Sequence, residues 1–423
     1  MRFRLVEAIQ SPLLVEKYVF DNGLTLLYHP DHQTKLLSYQ TWFRVGSSDE
    51  DQGKTGLAHL FEHLMFKSTQ NYPAGEFERI LGELGVQVNA ATYLDWTYYH
   101  EELPSQHILK VIELEADRMQ FLDLNQSQLK TEKKVVLNER QEGYEDDPTT
   151  EMLWQMAFEN HPYGHPTIGW QADIENFKLK DCKDFYKKNY AVNQAIIVVS
   201  GDTERDSLLN AIDQYYGHLQ TQTIPQRKSV DLRHWNGPKI QTCALDISSE
   251  RLIIGIASPS SDDDQSLALD LFNQIFVDLD SSRLYQKLFF ELECISRLNH
   301  YVPQFRGPGL YEINCDLNGK VTLADLEKII FEEIQKVADF GVTDEEIEKG
   351  KNCLEIEMYQ DLQTLEQKSE ALGFWETTLG DFKQIFRRPD KIRNLSKESV
   401  QMVAKSLVDP KKRFVIYATP KDE

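Results

Sequence analysis

Between Gly56 and Phe66 the chain reads Gly-Leu-Ala-His-Leu-Phe-Glu-His-Leu-Met-Phe. Leu57, Leu60, Phe61 and Leu64 fall at the i, i+3, i+4, i+7 spacing of one apolar helical face. His59 and His63 then stand one above the other on the opposite side, where both imidazoles can reach a single metal ion. Glu62, next to His63, is placed to move a proton beside that ion. Two histidines buried only for packing have no need of an acid between them, so the pattern reads as a metal site with its own acid–base group.

A second set of acids lies downstream. The segment from about Gln126 to Glu142 reads as a helix, and Glu132 and Glu139, seven apart, share one face at about 10.5 Å along the axis. Both cannot bind the same ion; one can be a ligand while the other supports a histidine from behind. Glu142 and Glu145 read as a solvated face. His161 and His165 lie in Asn160-His161-Pro162-Tyr163-Gly164-His165-Pro166, where two prolines and a glycine predict a rigid structural loop.

The elements that must position these residues follow from pattern. Asp21-Asn22-Gly23 between β-prone runs predicts a hairpin over residues 19–29. A strand over 36–45 leads through a polar loop into the histidine helix, so the motif follows a sheet directly. Helices are expected over 75–84, 105–122, 126–142, 181–188 and 204–216, and strands over 86–93, 96–103 and 195–201. Residues 220–239 are polar and aperiodic and carry Pro225, Gly237 and Pro238, the best linker in the chain. Beyond it the order of elements repeats, with strands over 252–256, 310–317 and 413–418 and helices over 265–279, 282–291, 323–340, 343–354 and 396–407. A duplicated α+β fold of the α/β-roll type is expected, each copy an antiparallel-rich sheet packed against helices: residues 1–220 with the metal site, a linker over 221–237, and 238–423 without it. The helix expected to match the histidine helix carries Leu267, Leu269, Leu271 and Phe272, so one chain offers one metal site.

The length of 423 residues exceeds a single ordinary core. A net charge of −22 argues against nucleic acid or an anionic membrane as a partner. It reads as a solvated acidic surface, with attraction of basic substrates as the alternative. Five scattered cysteines, without a Cys-x-x-Cys pair, read as reduced packing residues. No apolar run reaches membrane-spanning length, and Met1–Ala8 lacks a signal-peptide core. A cytoplasmic protein is expected, or one stripped of its targeting segment.

His59-Leu60-Phe61-Glu62-His63 is His-x-x-Glu-His, the zinc motif of the inverzincins. With the Glu132 and Glu139 pair, the Asn89-Ala90 strand, His161-Pro162-Tyr163-Gly164 and the duplication, nearly the whole chain resembles the pitrilysin and insulysin family of zinc peptidases, in the branch that includes mitochondrial processing peptidase. The resemblance implies one zinc ion per chain on His59, His63 and Glu139, the last seventy-six residues beyond His63, with Glu132 as supporting acid. Zinc so held keeps a fourth position for water, and Glu62 serves as general base and acid in peptide hydrolysis. It also implies that a peptide lies along an edge strand at Asn89 and Ala90; an ordinary internal strand is the alternative.

One departure bears on assembly. Family chains that complete their own substrate site carry an arginine and, seven residues on, a tyrosine after a Ser-Arg-Leu segment. This chain has Ser282-Arg283-Leu284, but Phe289 and Ser296 stand where that pair is expected. The expectation is a zinc endopeptidase of unfolded peptides or presequence-like segments, forming the metal-bearing chain of a heterodimer whose same-fold partner supplies the arginine and tyrosine. A homodimer is the runner-up. The competing functions are a non-catalytic peptide-binding or scaffold subunit, and a zinc hydrolase of other substrates.

Overall fold

The computed structural model describes residues 2–146, 148–224, 226–230 and 235–421, with backbone only for 144–146. In chain order the strands are β1 (Phe3–Ile9), β2 (Val15–Phe20), β3 (Thr25–Pro30), β4 (Leu36–Phe43), β5 (Gln87–Thr92), β6 (Thr97–Pro104), β7 (Ala195–Gly201), β8 (Lys239–Leu245), β9 (Arg251–Ser258), β10 (Ile295–Tyr301), β11 (Gly309–Leu317) and β12 (Arg413–Pro420). The α-helices are α1 (Leu57–Leu64), α2 (Glu76–Glu83), α3 (Ile108–Phe121), α4 (Gln126–Asp146), α5 (Thr149–Ala157), α6 (Gln171–Asn176), α7 (Leu179–Asn189), α8 (Arg205–Tyr216), α9 (Asp264–Asn273), α10 (Arg283–Tyr285), α11 (Leu323–Phe340), α12 (Asp344–Gln360), α13 (Leu365–Leu379), α14 (Gln384–Asn394) and α15 (Lys397–Leu407). A π-helical turn, Gln274–Asp278, extends α9.

The chain divides into two compact units. The first holds residues 1–145, 165–228 and 361–386. Its seven-stranded sheet runs β1-β2-β3-β7-β4-β6-β5, parallel only between β3 and β7, and β5 lies at one edge. One face packs on helices: Leu57, Leu60, Phe61 and Leu64 of α1 are buried against this core, and Phe61 stacks on Tyr186 and Tyr190. This is the apolar face read from the sequence. The other face carries Trp42, Trp96, Tyr98, Ile196 and Val198 and is covered by Leu372 of α13 with Phe382 and Ile385. Gly373 permits that contact, because a Cβ there would lie 2.2 Å from the Trp42 indole nitrogen.

The second unit holds residues 146–164, 229–360 and 387–423. Its sheet runs β10-β11-β9-β12-β8, parallel only between β12 and β8. Matched from the parallel pair outwards, β8, β12, β9, β11 and β10 repeat β3, β7, β4, β6 and β5 in order and direction. One face packs on α9, α11 and α15; on the other, Leu153 of α5 meets Gly255 of β9 and Trp154 Nε1 donates to Glu312 at 2.6 Å.

The expected break at 221–237 therefore differs from the observed units in two segments. Residues 146–164 belong with the second sheet and 361–386 with the first. The helix following α4 covers the outer face of the second sheet, and the helix following α12 covers that of the first. Each sheet has apolar side chains on both faces, so each must be covered twice. Residue 225 and residues 231–234 of the expected linker lie outside the described residues. The sequence reading also passed over β1, β8, β10, α5, α6, α13 and α14. β8 and β10 are edge strands whose side chains are largely exposed, and the buried positions of α13 are Ser369, Leu372, Gly373, Glu376 and Thr377, which form no apolar stripe to read.

Candidate metal centre

Helix α1 has only two turns, and its start is held from outside. Gly56, at φ +94°, precedes the first turn, and a Cβ there would strike the Ile168 carbonyl at 2.4 Å; only glycine fits. Glycine offers no side chain to cap the helix, so the cap comes from Glu50. Its buried carboxyl accepts the Gly56 N–H at 2.7 Å and the Ala58 N–H at 2.6 Å. Burial drives that carboxyl well up from its ordinary range, while the Ala58 and Gly56 N–H groups pull it back. Asp173 fixes Thr55 through its N–H at 3.1 Å and its hydroxyl at 2.7 Å.

From this helix His59 and His63 project with ring centroids 5.0 Å apart. Glu139 of α4 faces both, its Oε2 lying 3.9 Å from His59 Nε2 and 3.3 Å from His63 Nε2. One ligand atom from each of the three lies within 4.8 Å of the others, the single such group among the described residues. Burial, then the neighbouring His63, push His59 down to about 4, leaving a neutral imidazole with a free lone pair for a metal. Glu132, one turn pair earlier on α4, is buried behind the group, 3.7 Å from His63 Nδ1 and 3.3 Å from Lys67 Nζ. Two imidazoles and a carboxylate, with an acid behind one imidazole, fit a tetrahedral ion that keeps one position open.

Glu62 shares the half-buried face of α1. Burial pushes its carboxyl up, against the pull of Thr92 on β5 and of His63. A carboxyl poised upward beside a metal-ligand set is suited to exchange a proton.

Asn89 and Ala90 lie on β5, the edge strand, opposite His100 and Tyr99 of β6. Ala90 packs on the core face, whereas Asn89 is exposed and its Oδ1 accepts the Ala90 N–H at 2.9 Å. Neither belongs to the metal-ligand group. His161 packs on Phe158 and Tyr163 in the second unit, and His165 Nδ1 donates to the Pro166 carbonyl at 3.2 Å, the structural roles expected of them. In the second unit Phe289 stacks on Tyr285 and Ser296 lies on β10. Arg283 is engaged by Glu346, at 2.6 and 2.8 Å.

The sequence reading missed Glu50, Lys67 and Thr92. Glu50 carries no local signal, since it caps from seven residues before the first residue of the helix. Lys67, one turn past His63, could have been found by helical spacing.

The fold is that of a peptidase family. Residues 25–170 match the family described as Insulinase (Peptidase family M16), and residues 176–354 match the Peptidase M16 inactive domain. The chain belongs to the M16 family. The second match contains none of His59, Glu62, His63, Glu132 and Glu139. Zinc protease PqqE of Helicobacter pylori is 27% identical over 371 residues, which cover 85% of this chain and 82% of that protein. The crystal structure of a protease from Helicobacter pylori superposes with a TM-score of 0.89 at 25% identity, covering 96% of this chain and 100% of that one. The periplasmic protease PqqL from Escherichia coli shares the fold at 16% identity and a TM-score of 0.80; the match covers 99% of this chain but 48% of that one. Among the described residues no helix is long and apolar enough to cross a membrane.

Proposed function

We propose that this chain is the zinc-bearing subunit of an endopeptidase that cleaves unfolded peptides or presequence-like segments. The observation that carries the proposal is the convergence of His59, His63 and Glu139 from two helices, with Glu62 beside them. Bound zinc would supply Lewis acidity and an acidified water. Glu62 takes a proton from the attacking water and passes it to the leaving amine. Glu132 holds His63 in orientation from behind. The open edge of β5, with Asn89 and Ala90, offers main-chain groups to an extended peptide, which gives affinity tolerant of sequence.

The family resemblance implies an enclosure of four such units, of which this chain supplies two. That PqqL is about twice the length matched here supports a second chain of the same fold, and so does the absence of the arginine–tyrosine pair after Arg283. A heterodimer whose partner carries that pair is the proposed assembly. The test is hydrolysis of a quenched-peptide library by the zinc-loaded chain, alone and with a same-fold protein that lacks the metal motif, with mass followed by light scattering. Full activity of a monomer or homodimer, unchanged by any such partner, would sink the two-chain arrangement; metal-loaded chain inactive in every combination would favour a peptide-binding scaffold.

A further inference from the structure

The cap on α1 is itself held by the segment that leads out of the first unit. Arg227 grips Asp49 with two bonds, Nε to Oδ1 at 3.0 Å and Nη2 to Oδ2 at 2.6 Å, and donates to the Asp95 carbonyl at 2.7 Å. Lys228 Nζ donates to the Glu50 carbonyl and lies 3.6 Å from Asp51. Asp49 also accepts the Gly46 N–H at 3.1 Å, which closes the turn before Glu50. The result is a chain of contacts from residues 227–228, through the 49–51 turn, to the two N–H groups at the start of α1.

We propose that Glu50 is a positioning residue for the metal helix, and that Arg227 and Lys228 hold it in place. The proposal rests on the reading of α1 as the zinc helix. The helix is short, and every metal-facing or proton-transferring group on it lies within its eight residues. Ala58, whose N–H Glu50 holds, directly precedes His59. A tilt at this end moves His59, Glu62 and His63 together relative to Glu139, which stands on a different helix. Catalytic geometry tolerates little such movement, because a displacement of about 1 Å can cost about a hundredfold in rate. The Glu50 carboxyl itself bonds to Gly56 and Ala58, whereas Arg227 also touches the Asp95 carbonyl just beyond the end of β5.

Glu50→Gln keeps the shape but turns one of two acceptor oxygens into an N–H2 donor facing a backbone N–H. In the full chain, loaded with zinc for kinetics and with cobalt for spectroscopy, we expect kcat to fall about 10- to 100-fold. KM should stay within about twofold, and the cobalt d–d absorption should change because the ligands have shifted. Arg227→Met, which keeps the aliphatic stem, should lower kcat less, about three- to tenfold, with KM again held, as expected for a residue one contact further out. Circular dichroism at the assay temperature reports whether each variant is folded. A folded Glu50→Gln protein with wild-type kcat and cobalt spectrum overturns the proposal, as does a kcat loss that merely follows the unfolded fraction. If Glu50→Gln does not fold, Arg227→Met decides: unchanged kcat and spectrum overturn the proposal. Wild-type chain that binds cobalt but cleaves no peptide refutes the peptidase reading and leaves the spectral comparison as the test of Glu50; wild-type chain that binds no cobalt sinks both.

Discussion

The two units answer the same structural problem with different side chains. His59 and His63 lie sixteen and twenty residues beyond Phe43, the end of β4; Gln274 and Asp278 lie sixteen and twenty beyond Ser258, the end of the matching strand β9. Glu139 is thirteen residues past the start of α4, and Glu357 is thirteen past the start of α12. In the second unit these three counterparts also meet: Gln274 Nε2 donates to Asp278 at 2.8 Å and to Glu357 at 2.6 Å. An amide nitrogen stands between two carboxylates and satisfies them by hydrogen bonds, where the first unit offers imidazole lone pairs to an ion. Behind them, Gly350 stands at the position of Glu132, and a Cβ there would lie 2.6 Å from Leu271, so the helices close over the space that holds the supporting acid in the first unit. The scaffold therefore does not depend on metal ligands. A few side chains at fixed positions separate a group able to hold a metal ion from a packed helix pair.

The largest expected effect falls on the acids of the first unit. Glu62→Gln should retain near-stoichiometric zinc yet lose about 10²–10⁴-fold in hydrolysis, since only proton transfer is removed. Glu139→Gln should lose both zinc and activity, whereas Glu357→Gln, its counterpart, should leave both unchanged. Metal analysis with peptide kinetics separates these outcomes. If Glu139→Gln held zinc like wild type while Glu142→Gln did not, the third ligand would be misassigned.

A smaller effect is expected behind the ligands. Glu132→Gln should weaken zinc binding about 10- to 100-fold, read by competition with a chelator, because His63 loses its charged support. The comparison can be pushed the other way with Gln274→His combined with Asp278→His. That pair beside Glu357 should raise zinc content from one towards two ions per chain; content fixed at one would mean that the positions correspond in topology but not in ligand geometry.

The smallest effects concern packing. Gly373→Ala should cost about 1–3 kcal/mol in urea denaturation, because Trp42 is held by its bond to Gln40 at 2.9 Å and cannot yield easily. Gly350→Ala should cost about 1 kcal/mol or less, since the far end of Leu271 can move aside. Equal costs at the two glycines would contradict this account of the two helix contacts.

Much of this molecule was legible in order of residues alone. His59, Glu62 and His63 sit within one helical turn of each other, so 3.6-residue periodicity fixes their common face without knowledge of the rest. The hairpin at Asp21-Asn22-Gly23, the strand over β5 and the repeat of elements are likewise local patterns. Glu139 is different: spacing shows only that it shares a face with Glu132, and a family resemblance was needed to choose between them. Which of the two approaches the Nε2 atoms of both histidines is decided by how α4 crosses α1. The exchange of residues 146–164 and 361–386 between the units was not legible, because an apolar helical face records that it is buried but not against which sheet. Nor was Glu50, whose partners are backbone N–H groups that every residue possesses. Local periodicity thus determined the common face of His59, Glu62 and His63. The approach of Glu139 to the two histidines, the cap on α1 and the counterpart cluster at Gln274 depend on contacts between segments far apart in sequence, and only the packed chain brings those together.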